Sequence, residues 1–133
     1  MNYRRSARQR MHEVAIMEEA VKLAVDAALS AGANRVLRLR LRIGQLSGVV
    51  PEALRFAFEI VCRETIAAGA VLEIEAVPIT CWCARCATEF TCDGYLNECP
   101  RCHELSNEVR RGRELEIASV EFEAHAQPAG QAA

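Results

Sequence analysis

Leu37-Arg38-Leu39-Arg40-Leu41-Arg42-Ile43 decides the fold, because aliphatic and cationic residues alternate without interruption. As a strand it presents one wholly apolar face and one wholly basic face, the pattern of a sheet with a single side on a core. The basic face needs partners, and the chain supplies them. Glu73 and Glu75 alternate with Leu72, Ile74 and Ala76; Glu114 and Glu116 alternate with Leu115 and Ile117. Two strands with glutamates outward and one with arginines outward predict a three-stranded sheet laced by cross-strand ion pairs. In the last strand Val120 and Phe122 then carry the apolar pattern, so a bulge is expected near Ala118 and Ser119. The rival reading of the arginines, a nucleic-acid stripe, is disfavoured by the matching acidic strands.

Outward from this sheet lie two amphipathic helices. Between Glu13 and Ala31, the residues Val14, Met17, Val21, Ala24 and Ala28 fall at spacings of three and four, with Ile16, Ala20, Leu23 and Ala27 widening the stripe. Gly32 suits the end of that helix. Gly44 to Val50 reads as a loop, and Pro51 fits the first turn of a second helix, where its missing N–H costs nothing. Leu54, Ala57, Phe58 and Val61 mark the buried face of this helix, with Cys62 as a buried thiol beside Phe58. Two helices on one sheet face make an open α+β sandwich. With the second and third strands as sheet neighbours, residues from about Pro78 to Arg113 leave the sheet and return to it as an insert.

That insert carries Cys83-Ala84-Arg85-Cys86 and Cys99-Pro100-Arg101-Cys102, two C-x-x-C knuckles at the separation of a zinc ribbon. Two thiolates on each tight turn complete the closed tetrahedral sulfur shell that zinc favours, with no position left for water or substrate. Zinc should therefore organise the insert, which has few apolar residues of its own: Trp82, Phe90, Tyr95 and Leu96 are its core candidates. Cys81 and Cys92 remain as spare thiols: Cys81 is close enough to compete for the ion, but one tetrahedral site needs four ligands, which favours both as bystanders. His103 follows the last ligand and could replace a thiolate or hydrogen-bond to one, although a lone exposed histidine on a knuckle is more often an ordinary residue.

Composition narrows the function further. The 133 residues are 51% apolar, enough for a real core, and carry a formal charge of −2. Arg4, Arg5, Arg8 and Arg10 sit in the first ten residues without an acidic neighbour, so the rest of the chain is more acidic than the total implies. An acidic body is a poor tracker of phosphates. Seven cysteines, four of them at metal spacing, suit a reducing cytoplasm better than a disulfide framework. Apolar runs are too short to span a bilayer, and no phosphate loop, dinucleotide fingerprint or nucleophile motif is present, which argues against an enzyme.

His12 remains, within Met11-His12-Glu13. One imidazole is no metal site, and an exposed residue at a helix start is its ordinary reading. With Met11 as the N-terminus, however, a free amine, backbone amides and the imidazole share one chelating segment, a nitrogen-rich planar set suited to nickel(II) or copper(II).

Met11-His12-Glu13-Val14-Ala15-Ile16, the stretch from Leu41 to Leu54 with Gly44-Gln45-Leu46-Ser47-Gly48 at its centre, and the two knuckles resemble, in this order, the HypA/HybF nickel metallochaperones. The resemblance runs from Met11 to about Glu123. It implies an α+β fold with two helices on a three-stranded sheet and an inserted zinc-ribbon-like domain, and a function in delivering nickel(II) for maturation of nickel-iron hydrogenase. Members are not enzymes, and act in the cytoplasm with a HypB-type GTPase, the hydrogenase large subunit and, for some, urease maturation proteins. Nucleic acid and membrane are not expected partners.

Carried over by position, His12 is the nickel ligand, Met11 gives the terminal amine if it is the true N-terminus, and Glu13 gives a backbone nitrogen with its carboxylate nearby. Cys83, Cys86, Cys99 and Cys102 hold structural zinc. The implied domains are 11–77 with 114–124 for nickel and 78–113 for zinc, flanked by a disordered extension at 1–10 and a flexible tail at 125–133. The family motif opens the protein, so Met1 to Arg10 read as an upstream start or a species-specific extension, whose arginines could meet an acidic partner.

Overall fold

The computed structural model describes residues 7–93 and 95–123, with side chains from His12 onward. Its elements are α1 (Ala7–Ser30), β1 (Val36–Gly44), α2 (Pro51–Cys62), β2 (Val71–Val77), β3 (Thr80–Cys83), β4 (Thr88–Thr91), β5 (Val109–Arg111) and β6 (Leu115–Phe122). They form two three-stranded sheets, ordered β2-β1-β6 and β4-β3-β5.

The arginine strand lies between the two glutamate strands. The second and third strands expected from the sequence, β2 and β6, are therefore not neighbours, because β1 has opposite charge to meet on both flanks. The ion pairs also report strand direction. Arg38 and Arg40 reach Glu73 while Arg42 reaches Glu75 at 2.9 Å, so β1 and β2 run the same way, as a crossover through α2 allows. Arg38 reaches Glu121 at 2.8 Å and Arg42 reaches Glu116 at 3.1 Å, so β6 runs the opposite way. Exposed pairs of this kind stabilise little individually. Their consequence is that Arg38, Arg40 and Arg42 are neutralised, as the sequence led us to expect.

Contacts divide the chain into two compact units. One comprises the stretches up to Arg40, Val50–Glu73 and from Ile117 onward; the other comprises Leu41–Val49 and Ile74–Glu116. In the first unit α1 packs on α2, and Met17, Ala20, Val21, Ala24 and Ala28 are buried against Leu39, Leu54, Ala57 and Phe58 of the same core. Alanines along α1 keep the stripe narrow, so Val14 and Leu23, expected inside, are exposed. Leu37 departs as well: it is 40% exposed, and Val36 is buried instead, its N–H donating to the Ile66 carbonyl at 2.9 Å.

Helix α1 begins at Ala7, ahead of the Glu13 start read from the apolar stripe. Residues 7–10 of the expected disordered extension are thus helical, since Ala7, Arg8, Gln9 and Arg10 are all strong helix formers without a breaker. Residues 1–6, and the tail from Ala124 with His125, lie outside the described residues. In β6, Ile117 and Ala118 are both half-buried in succession, which is where the apolar phase changes.

The second unit explains the Gly44-Gln45-Leu46-Ser47-Gly48 motif. A Cβ on Gly44 would meet the Gly112 carbonyl oxygen at 2.1 Å, so only glycine allows the two backbones to approach. Gly44 N–H donates to the Glu114 carbonyl at 2.8 Å and Leu46 N–H to the Gly112 carbonyl at 2.6 Å. Gln45 serves the other end of the insert. Its N–H donates to the Val77 carbonyl at 3.1 Å, and its side-chain oxygen accepts from Ile79 N–H at 3.3 Å. One short loop thereby grips the chain where the insert begins and where it ends.

Candidate metal centres

The first knuckle is the turn between β3 and β4. These strands pair antiparallel with Cys83 opposite Thr88, so Cys83 closes one strand and Cys86 lies on the turn. Cys86 N–H points to the Cys83 sulfur at 3.4 Å. The second knuckle is closed by its own backbone: Cys99 N–H donates to the Glu104 carbonyl and His103 N–H to the Cys99 carbonyl, each at 2.9 Å. The residue after each knuckle, Ala87 at φ 52° and His103 at φ 65°, takes the left-handed conformation that reverses the chain. Neither is glycine, so each turn carries a small steric cost.

Together the turns bring Cys83, Cys86, Cys99 and Cys102 to one point, with all four sulfurs within 4.8 Å of one another. Cys83 and Cys102 sulfurs are 3.5 Å apart, and those of Cys86 and Cys99 are 3.9 Å apart. A tetrahedral zinc with bonds of about 2.3 Å needs sulfur separations of about 3.8 Å. The residues fit that ion.

Electrostatics agree with the geometry. The Cys102 backbone N–H, then that of Arg101, pulls the Cys99 thiol down to about 6 against the effect of burial. Hydrogen bonding to Cys102, followed by burial, pushes Cys86 up to about 12. Four sulfurs this close cannot all ionise by themselves, and a divalent cation among them reverses that balance.

The core around the cluster is Ile79, Cys81, Cys83, Phe90 and Cys99. Of the aromatic candidates only Phe90 joins it. Tyr95 is 94% exposed and Leu96 is also outside, because the cysteines themselves fill the space. Trp82 is half-buried, covered by the Arg110 guanidinium at 4.4 Å from the ring centroid. His103 bonds Glu98 through Nδ1 at 3.0 Å and remains largely exposed. Cys62 is the core thiol expected of it, and burial pushes its pKa up to about 11.

Cys81 and Cys92 stand outside the four-sulfur cluster yet face each other, with sulfurs 2.8 Å apart. Burial first, then the Cys92 hydrogen bond, pushes Cys81 up to about 11. Sequence reasoning left these two as separate spare thiols. Their pairing depends on the β3–β4 register, which spacing alone does not supply.

The Met11-His12-Glu13 segment lies inside α1, with His12 exposed. Glu13 is 1% exposed, and its Oε1 accepts from Val50 N–H at 3.2 Å. Val50 is the N-cap of α2 and provides no side-chain cap of its own. A carboxylate from α1 therefore sits at the positive end of α2, where negative charge is favoured by about 0.3–1 kcal/mol. The signal was available in the sequence. Glu13 stands four residues before Met17 and so continues the buried stripe, although its charge argued for the surface.

A family model described as hydrogenase/urease nickel incorporation, metallochaperone, HypA matches residues 11–122. Hydrogenase maturation factor HypA of a Picosynechococcus species is 50% identical over 111 residues, covering 84% of this chain and 98% of that protein. The factor of the same name from Chloroflexus aurantiacus is 45% identical over 112 residues, again 84% and 98%. Among solved structures, a solution structure of a HypA protein superposes with TM-score 0.65 at 24% identity, covering 86% of this chain and 98% of that one. The solution structure of the Ni metallochaperone HypA from Helicobacter pylori gives 0.58 at 22%, with 85% and 98% covered. These likenesses establish the α+β fold with its cysteine-bearing insert.

Proposed function

The chain belongs to the HypA nickel-incorporation family, and on that premise we propose that it binds nickel(II) and delivers it for maturation of nickel-iron hydrogenase. What carries this reading is that one family match, from residue 11 to residue 122, takes in both the His12 segment and the four-sulfur cluster. The two metals then have separate roles. Cys83, Cys86, Cys99 and Cys102 hold zinc as a resident structural ion, and 78–113 is the domain it organises. Nickel is cargo, taken by His12 with the backbone nitrogens of Met11 and Glu13, on the domain formed by 11–77 and 114–124.

Helix geometry makes the N-terminus decisive. In a helix begun at Ala7, the Met11, His12 and Glu13 amides lie past the first four N–H groups and are used by the helix itself. In a chain begun at Met11 the same nitrogens are the amine and the first amides, which have no intrahelical partner and are open to a metal. An exposed terminal segment with few ligands also releases its ion more easily than a closed cage. The protein is a carrier and not an enzyme, acts in the cytoplasm, and passes its metal on with a HypB-type GTPase and the hydrogenase large subunit. Urease maturation proteins are the second client class.

Nickel titration of Met1-start and Met11-start chains, each with and without His12→Ala, tests this. The Met11-start chain should bind nickel more tightly, and His12→Ala should abolish stoichiometric nickel while zinc stays at one per chain. Stoichiometric nickel in the His12→Ala chain refutes the assignment.

A further inference from the structure

Cys81 and Cys92 are placed for chemistry that the zinc cluster does not use. Their sulfurs lie 2.8 Å apart, and a disulfide bond of about 2.05 Å needs less than about 1 Å of further approach. The register holds them there. Cys81 is opposite Phe90 in the β3–β4 pair, and the hairpin continues past β4 through Cys92 N–H to the Ile79 carbonyl at 3.0 Å. Cys81 is completely buried, whereas Cys92 is half-exposed, so an oxidant has one sulfur to reach and the other stands behind it. Neither belongs to the four-sulfur group.

We propose that Cys81 and Cys92 form a reversible disulfide, a redox-modified site within the zinc-binding insert and separate from its metal ligands. The co-reactant is a low-molecular-weight disulfide of the glutathione class. Cys92 attacks it, forming a mixed disulfide and releasing one thiol with the Cys92 proton. The Cys81 sulfur then attacks the Cys92 sulfur, and the second thiol leaves with the Cys81 proton. One disulfide has been reduced to two thiols and one protein dithiol oxidised. The bond closes a ring containing Cys83 and Cys86, so the turn bearing two of the four zinc ligands is fixed at its base.

The zinc-loaded full chain equilibrated in glutathione buffers, then acid-quenched, alkylated and digested with trypsin, tests this. Peptides 64–85 and 86–101 should become linked through Cys81 and Cys92, passing from about one-tenth to nine-tenths oxidised over about a hundredfold change in the squared glutathione to glutathione-disulfide ratio, with zinc retained. Cys92→Ser should abolish the link, and Cys62→Ser should leave it intact. The proposal is overturned by full alkylation of both residues across the buffer range. It is equally overturned by a link that joins knuckle cysteines and releases zinc.

Discussion

The four-sulfur cluster and the Met11-His12-Glu13 segment, the nickel site proposed above, are built in opposite ways. The cluster is built from two turns whose backbone bonds are already made, with sulfurs within 4.8 Å of one another before any ion is considered. The segment has one exposed imidazole on a helix, beside a carboxylate that is committed elsewhere. A site that must keep its ion is pre-organised and closed, and one that must surrender its ion is sparse. On the function proposed above, the resident metal has a cluster built from two turns and the cargo metal a single exposed imidazole.

Removing one ligand of the closed site should have the largest effect. Cys99→Ser should release zinc and unfold 78–113, because structural zinc supplies about 10–16 kcal/mol to small zinc domains. Zinc analysis and amide NMR would check it: signals from the insert should collapse while those of α1 and α2 persist. Persistence of the insert without zinc would mean that its core of Ile79, Cys81 and Phe90 suffices.

Next in size is the loop that grips the insert. Gly44→Ala drives a Cβ into the Gly112 backbone, and overpacking against rigid backbone should cost about 3 kcal/mol or more. Urea melts monitored in both units would report it, with the larger loss in the unit that contains Gly44. A uniform loss would show that the two units unfold as one.

Legibility followed the same division. The four-cysteine cluster could be read directly, since two turns of fixed spacing converge on one point whatever surrounds them. The ion-paired sheet could also be read, because Leu39, Leu41 and Ile43 alternate with arginines and matching glutamates exist elsewhere. Strand order could not, since alternation gives faces and not neighbours. The Cys81–Cys92 pairing was hidden for a related reason: it rests on which residues of β3 and β4 face each other. The proposed nickel segment had a weaker signal: one histidine has no spacing to read, and only with Met11 as the N-terminus did amine, amides and imidazole suggest a chelating set, which the family resemblance then narrowed to nickel.

Glu13 tests whether the open region is as sparse as it looks. Glu13→Ala removes the acceptor of Val50 N–H and the charge at the α2 N-terminus, and should cost about 1–3 kcal/mol in a urea melt. Glu13→Gln keeps an acceptor and should cost less. Both variants keep the backbone nitrogen, so nickel stoichiometry should be unchanged in a Met11-start chain. A loss of nickel in Glu13→Gln with stability intact would move the carboxylate into the metal site and make the open region less sparse.

The smallest effect is expected at the closed site's turns. Ala87 sits at φ 52°, where a side chain costs about 1–2 kcal/mol relative to glycine, while glycine gives back about 0.5–1 kcal/mol through a more flexible unfolded chain. Ala87→Gly should therefore stabilise the zinc-loaded insert by about 0.5–1 kcal/mol and slow zinc transfer to a competing chelator by a few-fold. Nickel binding at the Met11 segment should not change. A faster zinc loss would mean that Ala87, though strained, holds the first knuckle in place by limiting where the chain can go. In that case the closed site's rigidity comes from the turn as much as from the four sulfurs.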